Sequence, residues 1–174
     1  MEINIKKVLE SSEKRLRREI PGAVATGIGV FVIVYRDDLE ILVRTRTETG
    51  SLYGEDLSKK KELPGGAVDI ADFEKEYDSA PVIAGARELF EETGLILHLE
   101  KLAKPVLLKP AWAIIGEGII DLAFAIDVPF FAIEETPLYK ELLNEKKLEW
   151  VHVSELEKVE FISKRMAFLA KHLT

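Results

Sequence analysis

Three glutamates in the segment Arg87-Glu88-Leu89-Phe90-Glu91-Glu92-Thr93-Gly94-Leu95 recur at spacings of three and four residues, which stack side chains on one face of an α-helix. At about 100° per residue, Glu88, Glu91 and Glu92 fall within roughly one third of the circumference, while Val82, Ala86, Leu89 and Thr93 gather opposite. One side suits a core; the other concentrates negative charge. Like charges at these spacings destabilise a helix by about 0.2–0.5 kcal/mol per pair, so an external cation that relieves the repulsion is expected. The bend Leu63-Pro64-Gly65-Gly66 precedes the helix and lets backbone approach such a site closely. Oxygen donors of this kind select hard divalent ions, magnesium or manganese, over zinc.

A plainer reading treats the segment as a solvated acidic face, because glutamate is a good helix former. Average residue frequencies place one arginine, three glutamates and a glycine at these fixed offsets on the order of once per million positions. Coincidence with the upstream Leu-Pro-Gly-Gly makes chance rarer still, and the functional reading prevails.

These residues resemble the Nudix box, whose pattern is G-x5-E-x7-R-E-U-x-E-E-x-G-U with U apolar. The second half matches in full from Arg87 to Leu95, whereas Gly66 lies 21 residues before Arg87, about seven more than the pattern sets. In register with Arg87, Ser79 stands at the family's first glutamate. Asp72, Glu74, Glu76 and Asp78 lie in the expanded loop, and any of them could supply a replacement carboxylate. Larger Nudix proteins of the coenzyme A diphosphatase type carry a similar stretched loop, but Arg44 to Gly65 lacks the arginine-rich approach many of them show.

The resemblance implies an α/β fold, a Nudix-type α/β/α sandwich around a mixed β-sheet. It also implies a metal-dependent pyrophosphohydrolase that cleaves a nucleoside diphosphate linked to another moiety by water attack at phosphorus, with Mg2+ or Mn2+ as cofactor. Glu91 and Glu92 are the expected metal ligands, and Glu88 either binds metal or accepts the proton of the water. The Gly65 carbonyl and a later carboxylate, Glu117 or Asp121, complete the implied ligand set; Glu117 and Asp121 have a plain alternative as turn residues beside Gly116 and Gly118. Arg87, on the flank of the acidic face, is expected to orient a glutamate by a charge-assisted contact. Gly66 would let substrate approach the backbone. Arg44 and Arg46 share one face of a strand and are candidates to clamp substrate phosphates, with solvated strand charges as the alternative. Trp112, Phe124 and Tyr53 could stack on a base, although aromatics so placed more often pack.

The elements that must position these groups are legible in outline. Ile5, Val8, Leu9 and Leu16 predict a helix over residues 3–20, read as an appendage of a single domain spanning 1–174. Ala23 to Tyr35 is almost uninterruptedly apolar, as in a strand covered on both faces, and Glu40 to Arg46 returns after Asp37-Asp38. Thr47 to Glu62 reads as a polar loop. The box helix begins near Asp78 or Ser79, either of which can cap it, tolerates Pro81 in its first turn and ends at Gly94. Ile96 to Leu108, Ile119 to Val128 and Leu148 to Val153 are strand candidates; Pro137 to Asn144 suits a short helix, and a terminal helix starts at Ser154 or Phe161.

A net charge of -7 disfavours tight, nonspecific nucleic-acid binding, so nucleic acid is not expected as a partner, and the partner that the resemblance implies is a nucleotide-derived diphosphate small molecule. With no cysteine, thiolate metal sites are excluded, and a prenyl-diphosphate isomerase that needs a cysteine acid ranks last. Gly27-Ile28-Gly29 lacks the third glycine of a dinucleotide turn, and His98, His152 and His172 have no ligand spacing. The N-terminus lacks a signal-like apolar core and no run reaches membrane length, which predicts a cytoplasmic protein without membrane contact. Relatives of the resembled family commonly dimerise, so a homodimer follows from the resemblance and not from these residues. A Nudix-like binding or sensing domain without turnover is the alternative, motivated by the displaced first half of the box.

Overall fold

A computed structural model describes residues 5–19, 21–22, 24–36, 39–47, 51–52, 55–75, 79–102, 108–116 and 119–161. The sheet grows from β1 (Ala25–Tyr35), where consecutive apolar side chains point alternately into two cores. Val30, Val32 and Val34 belong to one buried cluster and Ile33 to the other. β1 runs parallel to β9 (Ile119–Pro129), and β9 pairs antiparallel with β8 (Leu108–Gly116). On the other side β2 (Glu40–Thr45) meets β1 at Tyr35↔Ile41, and β11 (Leu148–His152) lies outside β2, giving the order β11-β2-β1-β9-β8. One parallel pair among antiparallel ones makes the sheet mixed.

β1 and β2 diverge away from their shared end, and the chain from residue 61 to 67 fills the gap. Its β5 (Lys61–Glu62) pairs with β2 at Arg44↔Glu62, and its β6 (Gly65–Ala67) pairs with β1 at Val30↔Gly66. The Val32 N–H donates to the Pro64 carbonyl between them at 2.8 Å. Thr47 to Glu62, expected as a loop, therefore contains β5 and also a two-residue hairpin, β3 (Ser51–Leu52) with β4 (Glu55–Asp56). Strands this short carry no hydrophobic periodicity, which is why the sequence hides them.

The box helix, α3 (Ala80–Thr93), lies on one sheet face, with Val82, Ala84, Leu89 and Thr93 buried. Gly85 faces Val30, Val32 and Ile126, where an added Cβ would meet side-chain methyls at 3.1–3.4 Å, so the helix axis can approach the sheet closely. α1 (Ile5–Glu19) lies on the same face against β8 and β9. Its Ile5, Ser12 and Leu16 are fully buried, so the helix expected as an appendage belongs to the packed layer. α4 (Pro137–Asn144) adds Tyr139 to that cluster, and the opposite sheet face is covered through Leu156, in a 3-10 helix over Val153–Lys158, and Phe161.

Two further expectations change. Ser79 stands at the N-cap of α3, but its side chain makes no cap hydrogen bond, and Asp78 lies outside the described residues. Proline in the first turn and Gly94 in the left-handed region (φ 70°), whose N–H donates to the Phe90 carbonyl at 2.8 Å, bound the helix instead. The strand expected over Ile96 to Leu108 is β7 (Leu95–Leu97), followed by a 3-10 turn at Leu99–Lys101; the longer strand comes later, as β8, which carries Trp112. β7 pairs with β10 (Ile133–Glu135), and a six-residue helix, α2 (Ile70–Lys75), occupies the expanded loop. Residues of the expected terminal helix beyond 161 lie outside the described ones. No helix among the described residues is long and apolar enough to cross a membrane.

Candidate active site

The acidic face of α3 forms one wall of a cavity of about 430 Å³, lined by Glu88, Glu91 and Glu92 together with Arg44, Thr45, Thr47, Leu142 and Lys147. The apolar face of the same helix is pinned to the sheet, so the carboxylates are fixed to a rigid element. β2 supplies Arg44 and Thr45, and the turn between α4 and β11 supplies Lys147.

Each glutamate has a different environment. Glu92 is mostly buried: one oxygen accepts the Gly65 N–H at 2.9 Å and the other is in direct contact with Arg44 Nη1. Burial, opposed by Arg44 and the Gly65 N–H but reinforced by Glu62 and Glu88, pushes its carboxyl up to about 7. Glu88 lies over Gly66 and pairs with Arg87 Nη1 at 2.5 Å. Glu91, with a side chain 57 % exposed against 14 % for Glu88 and 19 % for Glu92, sits 3.7 Å from Arg87.

Gly65 is dictated by sterics. A Cβ there would overlap the Val30 carbonyl oxygen and lie 3.0 Å from the Phe31 Cα, so backbone would have to move. At Gly66 the obstacle is the Glu88 carboxylate itself. The two glycines thus have separate tasks: one lets β6 pair with β1, the other clears room for a carboxylate.

Arg87 is the hub of the flank. Its Nη2 donates to the Ala67 carbonyl at 3.0 Å and to Asp72 at 3.2 Å, and lies 3.3 Å from Asp69. Burial disfavours its charged form, but the bonds to Asp72 and Glu88 outweigh that and raise its pKa above the usual arginine value. Of the four loop carboxylates offered by the sequence, buried Asp72 reaches Arg87, as does Asp69, which was not among them; Glu74 is exposed, and Glu76 and Asp78 lie outside the described residues. Asp72 also accepts the Asp69 N–H at 3.0 Å, which ties the start of α2 to the arginine.

Arg44 and Arg46 converge on Glu62, at 2.7 Å and 3.2 Å. Sequence reasoning missed Glu62, which is buried, because nothing local announces that β5 pairs with β2; its place directly before Leu63-Pro64-Gly65-Gly66 was the available signal. Lys147 and Thr45 were likewise missed, since the Thr45 N–H donates to the Lys147 carbonyl, joining positions far apart in sequence, at 2.7 Å. Glu117 lies outside the described residues. Asp121 is placed by its backbone on β9 opposite Gly27 and Ala113.

The donor set suits a hard divalent ion: three carboxylates on one cavity wall, all oxygen. Among the described residues no three acidic or histidine side chains converge on one point, because Glu92 and Glu88 are turned toward arginines. A cation held by Glu88, Glu91 and Glu92 requires those carboxylates to exchange partners.

No protein-family model and no curated protein matches the sequence. Solved structures do. The chain is similar to a NUDIX hydrolase from Nitrosomonas europaea (TM-score 0.57, 16% identity, 82% of this chain and 84% of that one) and to a MutT NUDIX hydrolase from Burkholderia pseudomallei (0.55, 19%, 85% and 98%). It is also similar to Shewanella oneidensis NrtR complexed with a 27mer DNA, at TM-score 0.50 and 12% identity over 83% of this chain and 59% of that one. Identities this low speak for architecture alone: the mixed sheet, the glycine bend and the box helix of this chain form a Nudix fold.

Proposed function

We propose that the chain is a metal-dependent pyrophosphohydrolase that cleaves a nucleoside diphosphate linked to another moiety, with Mg2+ or Mn2+ as its cofactor. The observation that carries this reading is that Glu88, Glu91 and Glu92 line one cavity together with Arg44 and Lys147, which brings cation ligands and phosphate partners into one space. Glu88, Glu91 and Glu92 would hold the ion, with the Gly65 carbonyl and Asp121 or Glu117 as further ligands of this reading. The bound ion supplies charge neutralisation at the phosphoanhydride and acidifies water.

The chain's own groups do the rest. Arg87 and Gly66 hold the Glu88 carboxylate in place. Glu88, on the same cavity wall as Glu91 and Glu92, would either bind the ion with them or accept the proton of the attacking water. Water oxygen bonds to phosphorus while the bridging anhydride oxygen leaves on the second phosphate, giving a nucleoside monophosphate and a phosphorylated remainder. Lys147 borders the same cavity and would orient phosphate oxygens by exchanging its present partner, Glu145 at 2.6 Å, for them, whereas the Thr45 hydroxyl is engaged by the Lys146 carbonyl and the Lys61 ammonium. Arg46, paired with Glu62, does not line the cavity and supports Arg44 from behind.

The test is a panel of ADP-ribose, coenzyme A, nucleotide sugars, dinucleoside polyphosphates and oxidised nucleotides with magnesium or manganese. Release of a monophosphate is expected, lost by orders of magnitude in Glu92→Gln with the thermal unfolding transition retained. Full activity in Glu92→Gln overturns the ligand assignment.

The engagement of Glu92 by Arg44 favours a second reading, a nucleotide-binding domain without turnover. Calorimetry on the same panel separates the two: binding without product under either metal supports the sensor.

A further inference from the structure

Arg44 already does for Glu92, and for Glu62 beside it, what a cation would. It is a cross-strand partner of Glu62, so the pairing of β2 with β5 sets where its guanidinium points. Its Nε sits 2.7 Å from Glu62 Oε1, and its Nη1 contacts Glu92 Oε1 directly. The other Glu92 oxygen is occupied by the Gly65 N–H at 2.9 Å. The Arg44 side chain is only 12 % exposed, with Glu62 at 9 % and Glu92 at 19 %, so the triad is shielded from water on most sides while Arg44 and Glu92 still border the cavity.

A divalent ion on Glu92 would meet a guanidinium bound to the same carboxylate, whichever oxygen it took. Each carboxylate oxygen has lone pairs for two partners, but two cations on one carboxylate in a shielded site repel strongly. The guanidinium has an alternative: the cavity it lines, where its planar fork matches a phosphate. We infer that Arg44 is a tethered internal cation, which occupies the Glu92 carboxylate in the metal-free protein and yields it to the divalent ion, turning toward the cavity to meet substrate phosphate. Metal entry then precedes and promotes phosphate binding, and Glu62 is the positioning residue that keeps the guanidinium within reach of both places. The inference rests on the metal-dependent reading proposed above.

Calorimetric titration of MgCl2 into the substrate-free protein at pH 8 tests it, comparing wild type with Arg44→Met. Loss of the internal competitor is expected to tighten Mg2+ binding at least tenfold. Equal or weaker binding in the variant, with wild type binding normally, overturns the role of Arg44 and leaves the hydrolase reading standing. Absence of Mg2+ binding in both proteins overturns both. Should Arg44→Met fail to fold by circular dichroism, wild type still decides: the Arg44 Nε–H resonance is expected to shift in step with Mg2+ occupancy. Its constancy while the Glu91 and Glu92 amides move sinks the inference.

Discussion

The Glu88 carboxylate fills the space that a side chain at Gly66 would take: a Cβ built there lies 2.7 Å from Oε1 and closer still to the rest of the group. Arg87 holds the same carboxylate from the side at 2.5 Å. Gly66→Ala is therefore expected to displace the far end of one flexible side chain and no backbone. Activity on the panel substrate should fall at least tenfold, while stability changes by less than about 1 kcal/mol in urea unfolding. Loss of both together would mean that the glycine serves the fold and not the site.

Gly65 makes the contrasting prediction. A Cβ there collides with the Val30 carbonyl oxygen in the central strand, and the residue's φ of 157° lies in the region that favours glycine. Gly65→Ala should unpair β6 from β1 and cost on the order of 2–4 kcal/mol, read as a lowered urea midpoint. A midpoint within error of wild type would refute this account of the bend.

The division between these glycines marks how far sequence reading reaches. The carboxylate helix was legible because its period, 3.6 residues, is written in consecutive positions, and its buried side emerged as expected at Leu89 and Thr93. β1 was legible from its nearly unbroken apolar run. Asp72 could only be narrowed to one of four acidic residues, since its partnership with Arg87 depends on how α2 folds back. Glu62 had only its place before Leu63-Pro64-Gly65-Gly66 to announce it, because two-residue strands have no period and its partners, Arg44 and Arg46, arrive by sheet register. The burial of Ile5 and Leu16 escaped because an amphipathic helix does not say which surface it will cover. Local rules found the carboxylates that line the cavity; long-range pairing decided which counter-charges face them.

Trp150 and Tyr139 offer a stability test away from the site. The indole Nε1–H donates to the Tyr139 hydroxyl at 2.8 Å, Phe130 meets the indole edge-on at 5.2 Å, and Arg36 stacks 3.8 Å from its centroid. Tyr139→Phe strands the indole donor in a part-buried position and should cost about 1 kcal/mol in denaturant unfolding, with catalytic parameters unchanged. An unchanged midpoint would show that water replaces the lost acceptor.

Glu92 predicts an unusual pH profile for the metal-free protein. Its folded pKa, about 7, lies above the ordinary 4.5. Between those values the unfolded chain has released this proton and the native protein keeps it, so folding binds a proton and native stability falls as pH rises. The contribution is full below pH 4.5, declines through the window and is lost above 7, amounting to at most about 3 kcal/mol. Other carboxylates titrate nearby, so the measurement is the difference between wild type and Glu92→Gln, which cannot ionise, in urea unfolding with EDTA at pH 5 and pH 8. Glu92→Gln is expected to gain on wild type as pH rises. A flat difference would mean that Arg44 keeps Glu92 ionised throughout, so that the arginine contact outweighs the cost of burial. Added Mg2+ should reverse the trend for wild type, because a ligand carboxylate must lose its proton to bind, and the ion's stabilising effect should therefore grow from pH 5 to pH 8.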